Sequence, residues 1–145
     1  MRPKKSVLVV GVDELLASQV VVRLHVWGYR SEQFDDMESA LIRLRDREFD
    51  LVLIMGTCFP GDWGKIDQLV FPMLDIQSNR GHNLRIFDPA NFLPHGIATG
   101  VQRVPVLPFG RDVWTSLRET VRLTAGRKRG PRSIPAEYRA TERVA

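Results

Sequence analysis

Short runs of apolar residues alternate along the chain with longer stretches in which apolar positions recur every three or four residues. Val7 to Val10 is wholly apolar and largely β-branched, which suits a strand covered on both faces. Asp13 is placed to cap a helix reaching about Val26, with Leu16, Val20 and Leu24 forming one inward stripe, and Gly28 stops it. Tyr29 to Phe34 predicts a second, weaker strand; Asp36 then caps a helix with Met37, Ala40, Leu41 and Leu44 inward. Asp50 to Met55 predicts the third strand and is the clearest of the set. Apolar strands alternating with amphipathic helices build βαβ units, and therefore a parallel sheet with helices on both faces.

The middle of the chain is less regular. Ile66, Leu69, Val70, Met73 and Leu74 have helical spacing, but Pro72 removes a backbone donor and predicts a kink or split. Leu84 to Phe87 is a fourth strand. A helix is due between Asp88 and Gly100, yet Pro89, Pro94 and Gly96 fall inside it, which predicts a broken helix or a loop. Val104 to Leu107 is the fifth strand. Asp112 caps a last helix with Val113, Trp114, Leu117 and Val121 inward, ending near Gly126, and Pro131 and Pro135 favour an extended tail. Domain organisation follows: one domain over residues 1–125 and a tail over 126–145.

The charge sits mainly in that tail. The chain of 145 residues carries a net charge of +4, and residues 126–145 hold six basic side chains (Arg127, Lys128, Arg129, Arg132, Arg139, Arg143) against two acidic ones (Glu137, Glu142). The rest is neutral overall. A basic tail on a neutral body is ordinarily a solvated end, with nucleic acid as the alternative partner. Cys58, the one cysteine, cannot form an internal disulfide and reads as a packed apolar group in a reducing compartment, so the expected location is the cytoplasm. The apolar run behind the basic N-terminus is too short for a signal-peptide core or a membrane span.

Three stretches resemble one family. Val7-Leu8-Val9-Val10 followed by Asp13-Glu14-Leu15, Phe49-Asp50-Leu51-Val52-Leu53-Ile54 followed by Pro60-Gly61 and Gly64, and Gly100 seven residues before Leu107-Pro108-Phe109 resemble, in order and separation, the receiver domain of two-component response regulators. The resemblance covers about residues 5–125. It implies a CheY-like, flavodoxin-like α/β fold: a doubly wound five-stranded parallel sheet with helices on both faces, the fourth helix here broken or replaced by a loop.

Receiver chemistry requires a carboxylate nucleophile, two more acidic side chains to hold magnesium, a hydroxyl and a lysine. Aligned on the resemblance, none is present. The acidic pair falls at Gly11 and Val12, the nucleophile at Met55 or Gly56, the hydroxyl at Asp88 or Pro89, and the lysine at Leu107. Val104 stands where the switch aromatic is expected. Asp13 and Asp62 are the carboxylates nearest the pocket and read as cap and turn residues. The resemblance also implies a cis Leu107-Pro108 bond, since that turn aims the residue before proline into the pocket. No cofactor and no metal are expected.

An unrelated enzyme on this fold has little to draw on. His25, His82 and His95 stand at no spacing that suggests a triad or a metal site. Gly11-Val12-Asp13-Glu14 lacks the later glycines of a dinucleotide turn. The sequence therefore predicts a binding module, not an enzyme: a phosphorylation-independent pseudo-receiver, a regulatory or adaptor domain that meets a protein partner or a second copy of itself. The surface expected to do so is the face of the fourth-helix segment, fifth strand and last helix, with Phe92 or Leu93 exposed beside Arg111, Arg118 and Arg122. Nucleic-acid binding through the last helix and tail is the alternative, and no membrane contact is expected.

Overall fold

The computed structural model describes residues 4–11, 14–56, 63–90, 93, 96–105 and 112–126. Its elements run β1 (Ser6–Val10), α1 (Glu14–Val26), β2 (Arg30–Phe34), α2 (Met37–Asp46), β3 (Leu51–Met55), α3 (Trp63–Asn79), β4 (Asn83–Phe87) and α4 (Val113–Thr124). The strands form one parallel sheet in the order β2-β1-β3-β4. All five residues of β3 are 0% exposed, as a strand with helices on both sides must be. β2, at the edge, leaves Arg30 and Gln33 exposed.

The strand order dictates where the helices go. The chain steps one way from β1 to β2, then back across the sheet to β3 and β4. With right-handed crossovers, this places α1 on one face and α2 with α3 on the other. α2 packs against α3. α4 joins α1: the Arg23 guanidinium of α1 lies 4.2 Å from the centre of the Trp114 ring of α4, and that ring packs at 5.9 Å against Phe87 of the sheet.

Two of the three expected caps form, and the third, Asp13, lies outside the described residues. Asp36 accepts from the Ser39 backbone N–H at 2.7 Å and Asp112 from that of Trp114 at 2.9 Å. Gly28, at φ 95°, ends α1 in the left-handed conformation that glycine tolerates best.

Two expectations change. The described sheet has four strands, not five: the chain returns beside β4 through a parallel bridge between Ile86 and Arg103. There Ile86 N–H donates to the Gln102 carbonyl at 3.0 Å, and Val104 N–H donates to the Ile86 carbonyl at 2.8 Å. The next rung would need Asp88 in strand geometry, but β4 ends at Phe87 and a turn begins at Pro89. The later part of the expected strand, residues 106–107, lies outside the described residues.

Secondly, α3 runs unbroken through Pro72. Val70, Met73 and Gln77 are fully buried on either side of it, and that burial outweighs the roughly 3 kcal/mol that a helix-interior proline costs. The described residues between Asp88 and Gly100 are turns and bends rather than a helix, as the prolines and glycine there predict. Asp67 of α3 tethers this segment by accepting from the Ala98 N–H at 2.8 Å.

Candidate functional site at the carboxyl edge of the sheet

In an open parallel sheet the crevice forms at the carboxyl ends of the strands, where the crossovers change direction. Here that point lies between β1 and β3, and the residues just past the strands are Gly11, Gly56 and Asp88. Gly11 still belongs to the ladder, its N–H donating to the Phe34 carbonyl at 2.8 Å. Met55 is fully buried and covers it: a Cβ added at Gly11 would lie 2.6 Å from Met55 Cγ and 3.0 Å from its Cβ. The side chain of Met55 therefore takes the space that a residue at position 11 would use.

Asp88 does the same at position 56. A Cβ on Gly56 would lie 2.3 Å from both Cγ and Oδ1 of Asp88, and 2.5 Å from its Cβ. The Asp88 side chain is 1% exposed. A carboxylate buried so deeply must be hydrogen-bonded or paired with charge. Its Oδ2 accepts from the Leu93 N–H at 2.8 Å and lies 3.8 Å from Nη1 of Arg103. Arg103 reaches it from the segment bridged to β4, which Ser116 of α4 braces by donating its hydroxyl to the Pro105 carbonyl.

One carboxylate, held between a backbone N–H and a guanidinium, lies over the spot from which a third-strand side chain would project. Hard divalent cations take six or more oxygens. The described residues of the crevice do not fit a magnesium ion: position 11 has no side chain, Met55 fills its place, and Asp88 is engaged by Leu93 and Arg103.

Of the residues aligned with the phosphorylation pocket, Gly11, Met55, Gly56 and Asp88 come together at this edge; Val12 and Leu107 lie outside the described residues, as do Asp13, Cys58, Asp62, His95 and the Leu107-Pro108 bond. The expected surface patch is corrected at Leu93, which is 2% exposed and belongs to the core. Its own N–H is the donor to Asp88. Phe92 and Arg111 lie outside the described residues. Arg118 is exposed on α4, and Arg122 pairs with Glu119 at 3.4 Å on the same helix. His25 is exposed, and His82 meets Glu48 at 2.6 Å on the surface. Val104 is buried.

Three residues that hold this architecture escaped the sequence reading. Arg103 supplies the cation near Asp88, and Asp67 anchors the loop that replaces a helix. Gln77 is fully buried, donating to the carbonyls of Phe49 at 3.2 Å and Asn83 at 2.8 Å, and so ties the residues leading into β3 to the start of β4. Glu32 on the edge strand grips Arg43 of α2 through two bonds of 2.8 and 3.0 Å, and that guanidinium holds its carboxyl below the usual carboxylate range. Burial pulls the Arg85 guanidinium down from its usual value.

No protein-family model matches the sequence, and no curated protein matches it. Solved structures do. The receiver domain of the sensor histidine kinase PA1611 from Pseudomonas aeruginosa, which holds a magnesium ion in its active-site cleft, superimposes with a TM-score of 0.63 at 15% identity, over 84% of this chain and 98% of that one. The chemotaxis protein CheY4 of Vibrio cholerae gives 0.59 at 19% identity, over 83% and 98%. HP1043, an orphan response regulator of H. pylori, gives 0.55 at 16% identity, over 85% and 99%. At such identities the likeness is one of fold, and the chain has the fold of response-regulator receiver domains.

Proposed function

We propose that this chain is a receiver-like regulatory or adaptor domain of bacterial two-component signalling, in the cytoplasm, that works without being phosphorylated and without catalysing a reaction. The observation that carries the reading is the place of Asp88, whose carboxyl group occupies the space over Gly56 that a phosphoacceptor side chain would need. Its partners support the same reading. The Leu93 N–H and the Arg103 guanidinium supply to Asp88 the kind of positive environment that a phosphoryl group would otherwise attract. A carboxylate fixed there keeps the crevice in one charge state, so the output surface has no phosphorylation equilibrium to follow.

The output is binding to a protein. α4 offers the exposed Arg118 and, one turn on, Arg122 and the exposed Leu123. Affinity purification from the native cell tests this reading, with the full chain as bait in parallel samples with and without acetyl phosphate and magnesium. The same partner should be retained in equal amount from both, and less of it by Arg118→Glu. A partner retained only after phosphoryl donor is added would refute it.

A further inference from the structure

Helix α1 is apolar on two opposite sides. Ala17, Val20 and Leu24 are fully buried. Across the helix from them, Leu15, Gln19, Val22 and Val26 follow one another at intervals of four, three and four residues, which keeps all four in one line. That line faces solvent: Leu15 is 71% exposed, Val22 61% and Val26 70%, and Gln19 is exposed with them. The other large apolar side chains exposed among the described residues, Ile42, Phe71 and Leu123, stand singly on three further helices. Single ones are ordinary on a protein surface; three aligned at coiled-coil spacing on one helix form a seam.

No charge lies within the seam. Ser18 and His25 edge it on one side and Arg23 on the other, and the Arg23 guanidinium is turned aside, 4.2 Å from the centre of the Trp114 ring of α4. A charged partner helix would find no group of opposite sign within the seam, whereas an identical seam brings no like charges together. Gln19 favours the same occupant. Its amide both donates and accepts, so the Gln19 amide of a parallel copy satisfies it, while a purely aliphatic helix would bury it without a bond.

We propose that α1 is a self-association surface, on which a second copy of the chain packs its own α1 in parallel, so that Leu15, Gln19, Val22 and Val26 each meet the same residue of the other copy. This surface is separate from the part of α4 assigned above to a protein partner. A helix of 13 residues is about 20 Å long, and one seam of it buries well under the ~1,200 Å² at which stable interfaces begin. The dimer is therefore weak and governed by concentration, with a Kd of about 10–100 μM.

Sedimentation equilibrium of the full chain over about 1–500 μM tests the proposal, with monomer expected at the dilute end and dimer at the concentrated end. Val22→Glu sets two carboxylates face to face across the axis and should weaken association at least about tenfold. Gln19→Leu removes the one polar group from the seam and should tighten association about tenfold. Both positions are exposed, so the melting temperatures of dilute samples should stay within about 2 °C of the parent chain. Three outcomes would each overturn it: a chain monomeric throughout the series, a dimer that Val22→Glu leaves intact, or a Gln19→Leu chain that associates no more tightly than the parent.

Discussion

The carboxyl group of Asp88 lies directly over the Cα of Gly56, so close that a Cβ on Gly56 would fall 2.3 Å from Asp88 Cγ. Two residues 32 positions apart in the chain thus share the volume of one side chain. Gly56 is required by its neighbour rather than by a turn.

That relationship predicts a specific non-additivity. Gly56→Ala should destabilise the domain by about 2–3 kcal/mol, as overpacking a filled site does. In an Asp88→Gly background, where the obstructing side chain is gone, the same substitution should cost well under half as much. Urea denaturation of the two single variants and the double variant measures the coupling. Additive effects would mean that the two residues do not compete for space.

At Gly11 the obstructing atoms are Met55 Cγ at 2.6 Å and Cβ at 3.0 Å, a milder overlap than the 2.3–2.5 Å at Gly56. Gly11→Ala should therefore cost less, about 1 kcal/mol, and Met55→Ala in the same chain should relieve it. Chemical denaturation again reads the difference. A penalty at Gly11 as large as that at Gly56 would show that backbone, not Met55, closes the site.

Leu93 and Arg118 separate core from surface. Leu93→Ala removes a buried side chain and should cost about 2–4 kcal/mol, whereas Arg118→Glu on the exposed side of α4 should change stability by less than about 0.5 kcal/mol. Thermal unfolding distinguishes them. An unchanged melting temperature for Leu93→Ala would return that residue to the surface.

Glu32 carries a pH dependence. Its carboxyl titrates lower in the folded chain than in the unfolded one because Arg43 binds the charged form. The folded state thus gains stability above the unfolded value of about 4.3, and loses it as pH falls through the lower folded value. The pair is partly exposed, so Glu32→Gln should cost about 0.5–1 kcal/mol at pH 7. The difference from the parent chain should shrink steadily below pH 4. Parallel denaturation curves at pH 7 and pH 3.5 check this, and a gap that stays constant would contradict it.

How much of this was legible depended on whether the determining contacts are local. Asp36 and Asp112 act within three residues of themselves, so both caps were readable from residue type and position. The apolar run of β3 needs only to be buried on both faces, and its burial shows that it is. The split expected at Pro72 is absent because the local rule for proline was outweighed by burial of Val70, Met73 and Gln77 around it. The crevice was half legible. Gly11, Met55, Gly56 and Asp88 were placed at it by alignment, but Asp88 read only as a missing hydroxyl. Its part depends on Gly56, Leu93 and Arg103, which meet only when the sheet forms. Leu93 was misplaced for a different reason: Asp88 is only five residues away, but nothing in a Pro- and Gly-rich stretch announces that its carboxylate will take the Leu93 N–H.

The Asp88 carboxyl group takes up the space over Gly56 that a phosphoacceptor would need, and intact-mass measurement of the full chain after incubation with acetyl phosphate and magnesium reads the consequence. The mass should be unchanged for the parent chain and for Asp88→Asn. A gain of one acid-labile phosphoryl group on the parent chain, absent from Asp88→Asn, would contradict it by making Asp88 itself the acceptor.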